Sequence, residues 1–324
     1  MRVAILLPCY NEEVTIAEVV EGFRQALPKA EIYVYDNNST DRTVERAAAA
    51  GAIVRREPLQ GKGNVVRRMF ADIEADAYVM ADGDGTYDPA SAAAMIEHIE
   101  RDNIDMVVGV RRQAGDDKAW RGGRHMGGRM LTRIVAFLFG KRFTDILSGY
   151  RTFSRRFVKS YPAIARGFEL ETELTVHALE LRLPVAEIET PYKARPEGSE
   201  SKLSAGRDGL QILRIILMLL KEERPFRFFG SISLVLAVIS VAISYPLLIT
   251  YIETGLVPRV PTAVLSTGLM LLAFLGATCG LILDSVSRGR REQKRMAYLA
   301  AAQIAPEPSP ASAKPANPKP GPGK

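Results

Sequence analysis

Short apolar runs and helix-spaced apolar repeats alternate four times within the first 90 residues, and few architectures can use that pattern. Residues 2–8 read as a strand buried on both faces, because their apolar side chains are continuous and do not alternate. Val14, Ile16, Val19, Val20, Phe23 and Leu27 then recur at helical spacing, behind Glu12 and Glu13, which suit a helix start. A second strand, 31–35, stops at Asp36-Asn37-Asn38-Ser39-Thr40-Asp41. Ser39 or Thr40 can cap the helix that runs through Ala50, and Gly51 ends it. Residues 52–55 form a weaker third strand, Gly61-Lys62-Gly63 turns into a helix to about Glu74, and 77–80 is a fourth strand. Residues 105–110 add a further one. The alternation predicts an α/β domain built on an open, mostly parallel sheet. Ligands of such sheets sit outside the carboxyl ends of the strands. Residues 8–12, 36–39 and 82–84 all fall at that edge, so three polar loops should converge on one crevice.

The last of these loops carries the most chemistry. Asp82 and Asp84 lie one residue apart at a strand's carboxyl end and can point at one hard cation, and Gly83 and Gly85 would let a phosphate-bearing ligand approach the backbone. An isolated Asp-Gly-Asp is also ordinary turn material, so its place beside two other polar loops is what gives it weight. Gly61-Lys62-Gly63 is too short for a P-loop, and Asp88 stands where a dinucleotide fingerprint after Gly83 and Gly85 needs its third glycine. The three histidines have no metal-ligand spacing, and no Ser/His/Asp or Cys/His arrangement stands out. Between Arg111 and Arg156 there are ten arginines against Asp116, Asp117 and Asp145. Guanidinium forks bind phosphates in pairs of hydrogen bonds, and Gly122-Gly123 and Gly127-Gly128 suggest a loop that closes over a substrate.

Hydrophobicity divides the chain. Residues 228–252 and 260–283 carry no charge, and at 1.5 Å per residue each reaches roughly 36 Å, enough to cross a bilayer core with some tilt. Lys221, Arg224 and Arg227 precede the first span and Arg288–Arg295 follow the second, so the positive-inside rule puts both ends in the cytoplasm. Before them, 210–220 is an apolar helix with a stripe of Arg207, Arg214 and Lys221, suited to lie along a membrane surface or, alternatively, in a core. The expected organisation is a soluble domain at 1–202, an interfacial helix at 203–226, a two-span hairpin at 227–284 and a basic, disordered tail at 285–324. That tail holds eight basic residues against Glu292 and Glu307, which accounts for the whole net charge of +6 and argues for an anionic membrane surface, not nucleic acid. Cys9 and Cys279 are too differently placed to pair and suit a reducing compartment. The amino terminus enters its first strand without a signal-peptide layout, so the soluble domain is expected in the cytoplasm.

Taken in order, 7–12, Asp36–Asp41, Gly61-Lys62-Gly63 and Asp82-Gly83-Asp84 resemble the landmarks of family 2 glycosyltransferases with the GT-A fold. Asp145-x-x-Ser148-Gly149-Tyr150-Arg151 and Arg195-x-x-Gly198-x-x-Ser201-Lys202 resemble the branch that transfers a sugar from a nucleotide to a polyprenyl phosphate. The resemblance covers about 1–220 and implies roles. Pro8, Tyr10, Glu12, Asp36, Lys62, Asp82, Arg195, Ser201 and Lys202 would bind a UDP- or GDP-linked sugar, and Asp82 and Asp84 would hold Mg²⁺ or Mn²⁺ at its diphosphate. Arg111, Arg124, Arg129, Arg133 and Arg151 would receive the phosphate of an undecaprenyl or dolichyl acceptor. Asp145 would join Asp82 and Asp84 as a catalytic residue by orienting an arginine, or else be a structural turn residue. The resemblance further implies inversion at the anomeric carbon, a homo-oligomer and the bacterial cytoplasmic membrane. Two departures, Thr86 in place of a frequent Gln and a longer Arg195–Lys202 turn, bear on the sugar and not on the reaction. A processive polysaccharide synthase and a non-catalytic membrane scaffold are the rival readings; Trp120 lacks the Gln-x-x-Arg-Trp context of the first, and the intact aspartates speak against the second.

Overall fold

A computed structural model describes residues 1–113, 143–163, 169–194, 218, 221–222 and 224–301. Seven strands form one sheet in the order β3-β2-β1-β4-β6-β5-β7: β1 (Val3–Cys9), β2 (Glu31–Asp36), β3 (Ile53–Arg56), β4 (Ala77–Met80), β5 (Met106–Gln113), β6 (Arg151–Ser154) and β7 (Val185–Tyr192). All pairings are parallel except those of β6, which runs antiparallel between β4 and β5. The expected mostly parallel α/β sheet is therefore the observed one, with a single reversed strand.

Both faces of the sheet are covered, which is why its strands read as unbroken apolar runs. Successive residues of β1 alternate faces: Ala4 and Leu6 enter one core, Ile5, Leu7 and Cys9 the other. The first core is closed by α3 (Lys62–Asp72), α5 (Arg155–Ser160) and α6 (Leu170–Leu181), through Val66, Phe70, Phe157 and Leu174. The second is closed by α1 (Ile16–Ala26) and α4 (Ser91–Arg101), through Val20, Phe23, Met95 and Ile99. Between β2 and β3, α2 (Thr43–Ala49) ends at Gly51, whose φ of 83° is costly for any residue with a Cβ. Its start is not capped by Ser39 or Thr40. Asp41 Oδ1 accepts from the Thr43 amide at 3.0 Å, while Ser39 Oγ and the Thr40 amide bond to Asn11 and so tie the loop after β2 to the loop after β1.

Two long helices follow, α7 (Pro225–Thr254) and α8 (Val260–Ala300), with mean hydropathy 2.5 and 2.0 over their most apolar windows. Most of their apolar side chains are exposed, which distinguishes them from core helices. Small residues let the pair pack closely. Ser266, Ala273, Gly280 and Ser287 recur every seven residues on the buried seam of α8, Ser240 Oγ donates to the Ser266 carbonyl at 2.6 Å, and a Cβ at Gly276 would lie 2.5 Å from Ser233 Oγ.

The tail expected to be disordered from Ser285 is instead helical through Ala300 and docked on the soluble domain. Lys294 and Arg291 reach the buried Glu180 of α6 at 2.7 and 3.4 Å, and Tyr298 Oη donates to the buried Asp105 at 2.8 Å beneath the Arg156 guanidinium, 4.9 Å from the ring centroid. Spacings of three and four residues put Arg291, Lys294 and Tyr298 on one helical face, so two charges that look solvated in sequence meet Glu180, and the tyrosine hydroxyl meets Asp105. The interfacial helix expected at 203–226 lies almost wholly outside the described residues.

Candidate active site

β4 ends at Met80, and the chain then turns through Asp82-Gly83-Asp84-Gly85 at the carboxyl edge of the sheet. The turn is held from several sides. Thr15 Oγ1 of the loop before α1 donates to the Gly83 carbonyl at 2.7 Å, a Cβ at Gly83 would lie 2.5 Å from Cys9 Sγ, and Gly85 has φ 72°. Asp84 is buried at 2% exposure, its Oδ1 accepting from the Thr86 amide at 3.1 Å and the Thr86 hydroxyl at 2.6 Å. Asp82 is more open, and Lys62 Nζ lies 2.5 Å from its Oδ1. The same ammonium is 2.6 Å from Glu171 Oε1, at the start of α6. Burial alone would lower the Lys62 pKa, but Asp82 and then Glu171 outweigh it and the ammonium is raised above the ordinary lysine range.

The reversed strand completes this corner. Because Met80 pairs with Arg151, the turn before β6 arrives beside Asp82. Gly149 there would carry a Cβ 2.8 Å from Asp82 Oδ2 and 3.0 Å from Lys62 Nζ, and its amide donates to Tyr87 Oη at 2.9 Å. Burial and then the nearby Asp82 raise the Tyr87 phenol well above its usual range, so it is a neutral hydrogen-bonding group. Tyr87 packs against Tyr150 and Tyr192 at 5.3 and 5.4 Å between ring centroids.

On the far side of these rings Arg111, near the end of β5, makes a two-bond fork to Asp145, Nε to Oδ2 at 2.6 Å and Nη2 to Oδ1 at 2.8 Å, with its guanidinium 5.6 Å from the Tyr192 ring. The Thr144 and Asp145 amides are held by Glu187 of β7. Asp145 is thus paired with Arg111, one of the arginines expected to receive the acceptor phosphate. At the other end of the crevice Asp36 is buried, its Oδ1 accepting from the Ser39 amide at 3.1 Å and Arg56 Nε 3.9 Å from Oδ2. Pro8 lies in β1, Tyr10 is half-buried in the loop that follows, and the buried Glu12 donates its amide to Thr43 Oγ1. Asn37 Oδ1 accepts from the Gly61 amide at 2.7 Å, so the loop after β2 is joined to the one that presents Lys62.

One expected site residue is corrected. Arg151 has no solvent exposure; it donates to the Ile146 and Ser148 carbonyls at 2.7 and 2.9 Å and to Thr175 Oγ1 at 2.9 Å. Its guanidinium braces the interior and cannot meet an acceptor phosphate. Arg124, Arg129, Arg133, Arg195, Ser201 and Lys202 lie outside the described residues. Sequence reasoning missed Glu171, Gly149, Tyr87 and Thr86 as parts of the corner. Gly149 had a signal, its place in the Asp145–Arg151 motif, whereas Glu171 is 109 residues from Lys62 and reads as an ordinary acidic helix start.

Asp82 and Asp84 offer hard oxygen donors, and the glycines at 83 and 149 let Cys9 on one side, and Asp82 with Lys62 on the other, pack directly against the backbone. Among the described residues no group of three or more His, Cys, Asp and Glu stands ready for an ion. Two carboxylates fit Mg²⁺ or Mn²⁺ that takes its remaining ligands from a diphosphate and water, the usual arrangement for phosphate-bound Mg²⁺.

A mostly parallel sheet with one reversed strand and an Asp-Gly-Asp turn at its carboxyl edge is the arrangement expected of the GT-A fold. Residues 4–161 match the model of glycosyl transferase family 2. Glycosyltransferase AglJ of Haloferax volcanii is 34% identical over 298 residues, which cover 90% of this chain and 96% of that one. The undecaprenyl-phosphate mannosyltransferase of Micrococcus luteus is 26% identical over 66% of this chain and 93% of its own length. Among solved structures, glucosyl-3-phosphoglycerate synthase of Mycobacterium tuberculosis, in complex with Mn²⁺, UDP and phosphoglyceric acid, superposes with a TM-score of 0.56 at 25% identity, over 68% of this chain and 78% of that one. The chain belongs to glycosyl transferase family 2.

Proposed function

We propose that the enzyme transfers a sugar from a UDP- or GDP-linked donor to a polyprenyl phosphate at the cytoplasmic face of a membrane, with inversion. The observation that carries this reading is the union, in one chain, of the Asp82–Asp84 crevice with an apolar hairpin whose exit helix is fixed to the same domain. Such a crevice suits an acceptor that stays in the bilayer. The name of the Micrococcus relative supports that acceptor class, and the UDP and Mn²⁺ of the mycobacterial synthase support the donor and cation classes.

In this reading Pro8, Tyr10, Glu12 and Asp36 hold the base and ribose, and Asp82 and Asp84 hold Mg²⁺ or Mn²⁺ at the diphosphate with Lys62 beside them. The cation, when bound, neutralises the charge that grows on the departing nucleoside diphosphate. A phosphate monoester is already anionic at neutral pH, so the acceptor oxygen attacks the anomeric carbon without a general base as the bond to the diphosphate breaks. What the protein must supply is cationic positioning. Arg111 uses two of its five N–H donors on Asp145 and keeps donors for that phosphate. Arg124, Arg129 and Arg133 join it, and Arg195, Ser201 and Lys202 join the donor phosphates. Lys221, Arg224 and Arg227 before the hairpin, and Arg288–Arg295 after it, support a topology with both of its ends in the cytoplasm, and the same proposal takes the membrane to be a bacterial inner membrane and the enzyme to be a homo-oligomer.

Incubation with radiolabelled nucleotide sugars and a short polyprenyl phosphate tests the reading. Label should enter an organic-extractable product and stop doing so with EDTA; label in polymer, or no transfer from any donor, would refute it.

A further inference from the structure

Lys62 is shared by two carboxylates, and only one of them, Asp82, belongs to the proposed cation pair. Its ammonium lies 2.5 Å from Asp82 and 2.6 Å from Glu171, with side-chain exposures of 16%, 30% and 8% for Lys62, Asp82 and Glu171. Gly149 closes over this pair without a side chain, since a Cβ would sit within 3.0 Å of both Asp82 Oδ2 and Lys62 Nζ. Lys62 therefore has no room to leave in that direction, yet it occupies an oxygen that the proposed cation site needs.

We propose that Glu171 is a positioning residue that holds Lys62 off Asp82 when a divalent cation occupies the Asp82–Asp84 turn. The inference rests on the reading of Asp82 and Asp84 as the cation-binding pair. Three carboxylates, Asp82, Asp84 and Glu171, balance one ammonium and one dication. Without Glu171 the same corner carries a net positive charge, and Lys62 has only Asp82 as its carboxylate partner, in direct competition with the cation. Charges a few ångströms apart in a half-buried site are coupled far more strongly than in water, so the competition is felt in affinity. Glu171 lies in the first turn of α6, on an element that also packs into the core beneath the sheet. The lysine stays beside the diphosphate site because Glu171 keeps it there.

The experiment is a Mn²⁺ titration of the full-length protein in detergent, without nucleotide, with free Mn²⁺ read by electron paramagnetic resonance. Glu171→Gln should weaken binding about tenfold, an effect of about 1.4 kcal/mol. Lys62→Gln should bind Mn²⁺ severalfold more tightly than wild type, and Lys62→Gln with Glu171→Gln should return toward it. The opposite sign of the two single variants is what a merely structural role would not produce, and Lys62→Gln alone decides the matter if Glu171→Gln does not fold. Wild-type affinity in Glu171→Gln, or weaker binding in Lys62→Gln, while Asp84→Asn abolishes binding, would overturn the proposal for Glu171. Unchanged Mn²⁺ binding in Asp84→Asn would instead overturn the cation site on which it rests.

Discussion

Asp82 and Asp84 share a turn but are held in different ways. Asp84 is buried and fixed by the amide and hydroxyl of Thr86, whereas Asp82 faces the crevice and Lys62. Asp84→Asn is expected to lower the transfer rate about a thousandfold, the scale seen when a preorganised charge-stabilising group is lost, with the protein still folded by circular dichroism. Rates near wild type would remove Asp84 from the site. The Arg111–Asp145 fork makes a separate prediction. Asp145→Asn should raise the acceptor KM about tenfold and leave nucleotide affinity in calorimetry unchanged, because a charge-assisted hydrogen bond of roughly 1.5–3 kcal/mol orients the guanidinium. The carboxylates at the sheet edge were legible in sequence because strand ends and Asp-Gly turns mark themselves. Arg151 was misread for the converse reason: in a basic stretch, an arginine that points to water and one that turns into the core are written alike. Only the pairing of β6 with β4 and β5 separates them.

At the scale of elements, β1, β2 and β4 were readable as continuous apolar runs, and the helices between them by their spacing. β6 was not, since Arg-Thr-Phe-Ser has neither the length nor the alternation of a strand; it exists because β4 and β5 both need a partner. The carboxyl-terminal end of α8 escaped notice because its partners, Glu180 and Asp105, are remote in sequence. Burial, and then the bond to Asp105, pushes the Tyr298 phenol up to about 12, so it donates at all physiological pH values. The neighbouring His177 of α6 gives this layer a pH signature. It is buried between Phe157 and Tyr161, and burial, with a smaller effect of Lys294, pulls its pKa from 6.5 down to about 3. A depressed folded pKa means that the unfolded chain takes up the proton first, so stability present above pH 6.5 is lost as the pH falls towards 3. At pH 5 the loss from this residue is about 2 kcal/mol. Thermal melts in detergent should show the loss, and His177→Gln should flatten the slope between pH 6.5 and 5; an unchanged slope would show that His177 is not the group responsible.

For the whole molecule, soluble domain and hairpin form a unit joined through α8. A chain ending at Asp284 loses both cationic partners of the buried Glu180 and the Tyr298 hydroxyl on Asp105. Leaving a buried carboxylate unpaired costs about 3 kcal/mol, which for a domain of this size is a fall in Tm of about 10 °C. A chain ending at Ala301 should melt like the full protein; equal melts for both truncations would show that the docked helix adds nothing. The same junction underlies the functional account, in which a crevice fixed over a bilayer transfers one sugar to a lipid phosphate. Phosphorus NMR of the acceptor reads that reaction at the atom concerned. With donor and Mn²⁺, wild-type enzyme should convert the phosphomonoester resonance of a short polyprenyl phosphate to a phosphodiester, while Asp84→Asn leaves it unchanged. A lipid diphosphate in place of the phosphodiester, or a monoester that persists with every nucleotide sugar, would contradict the account.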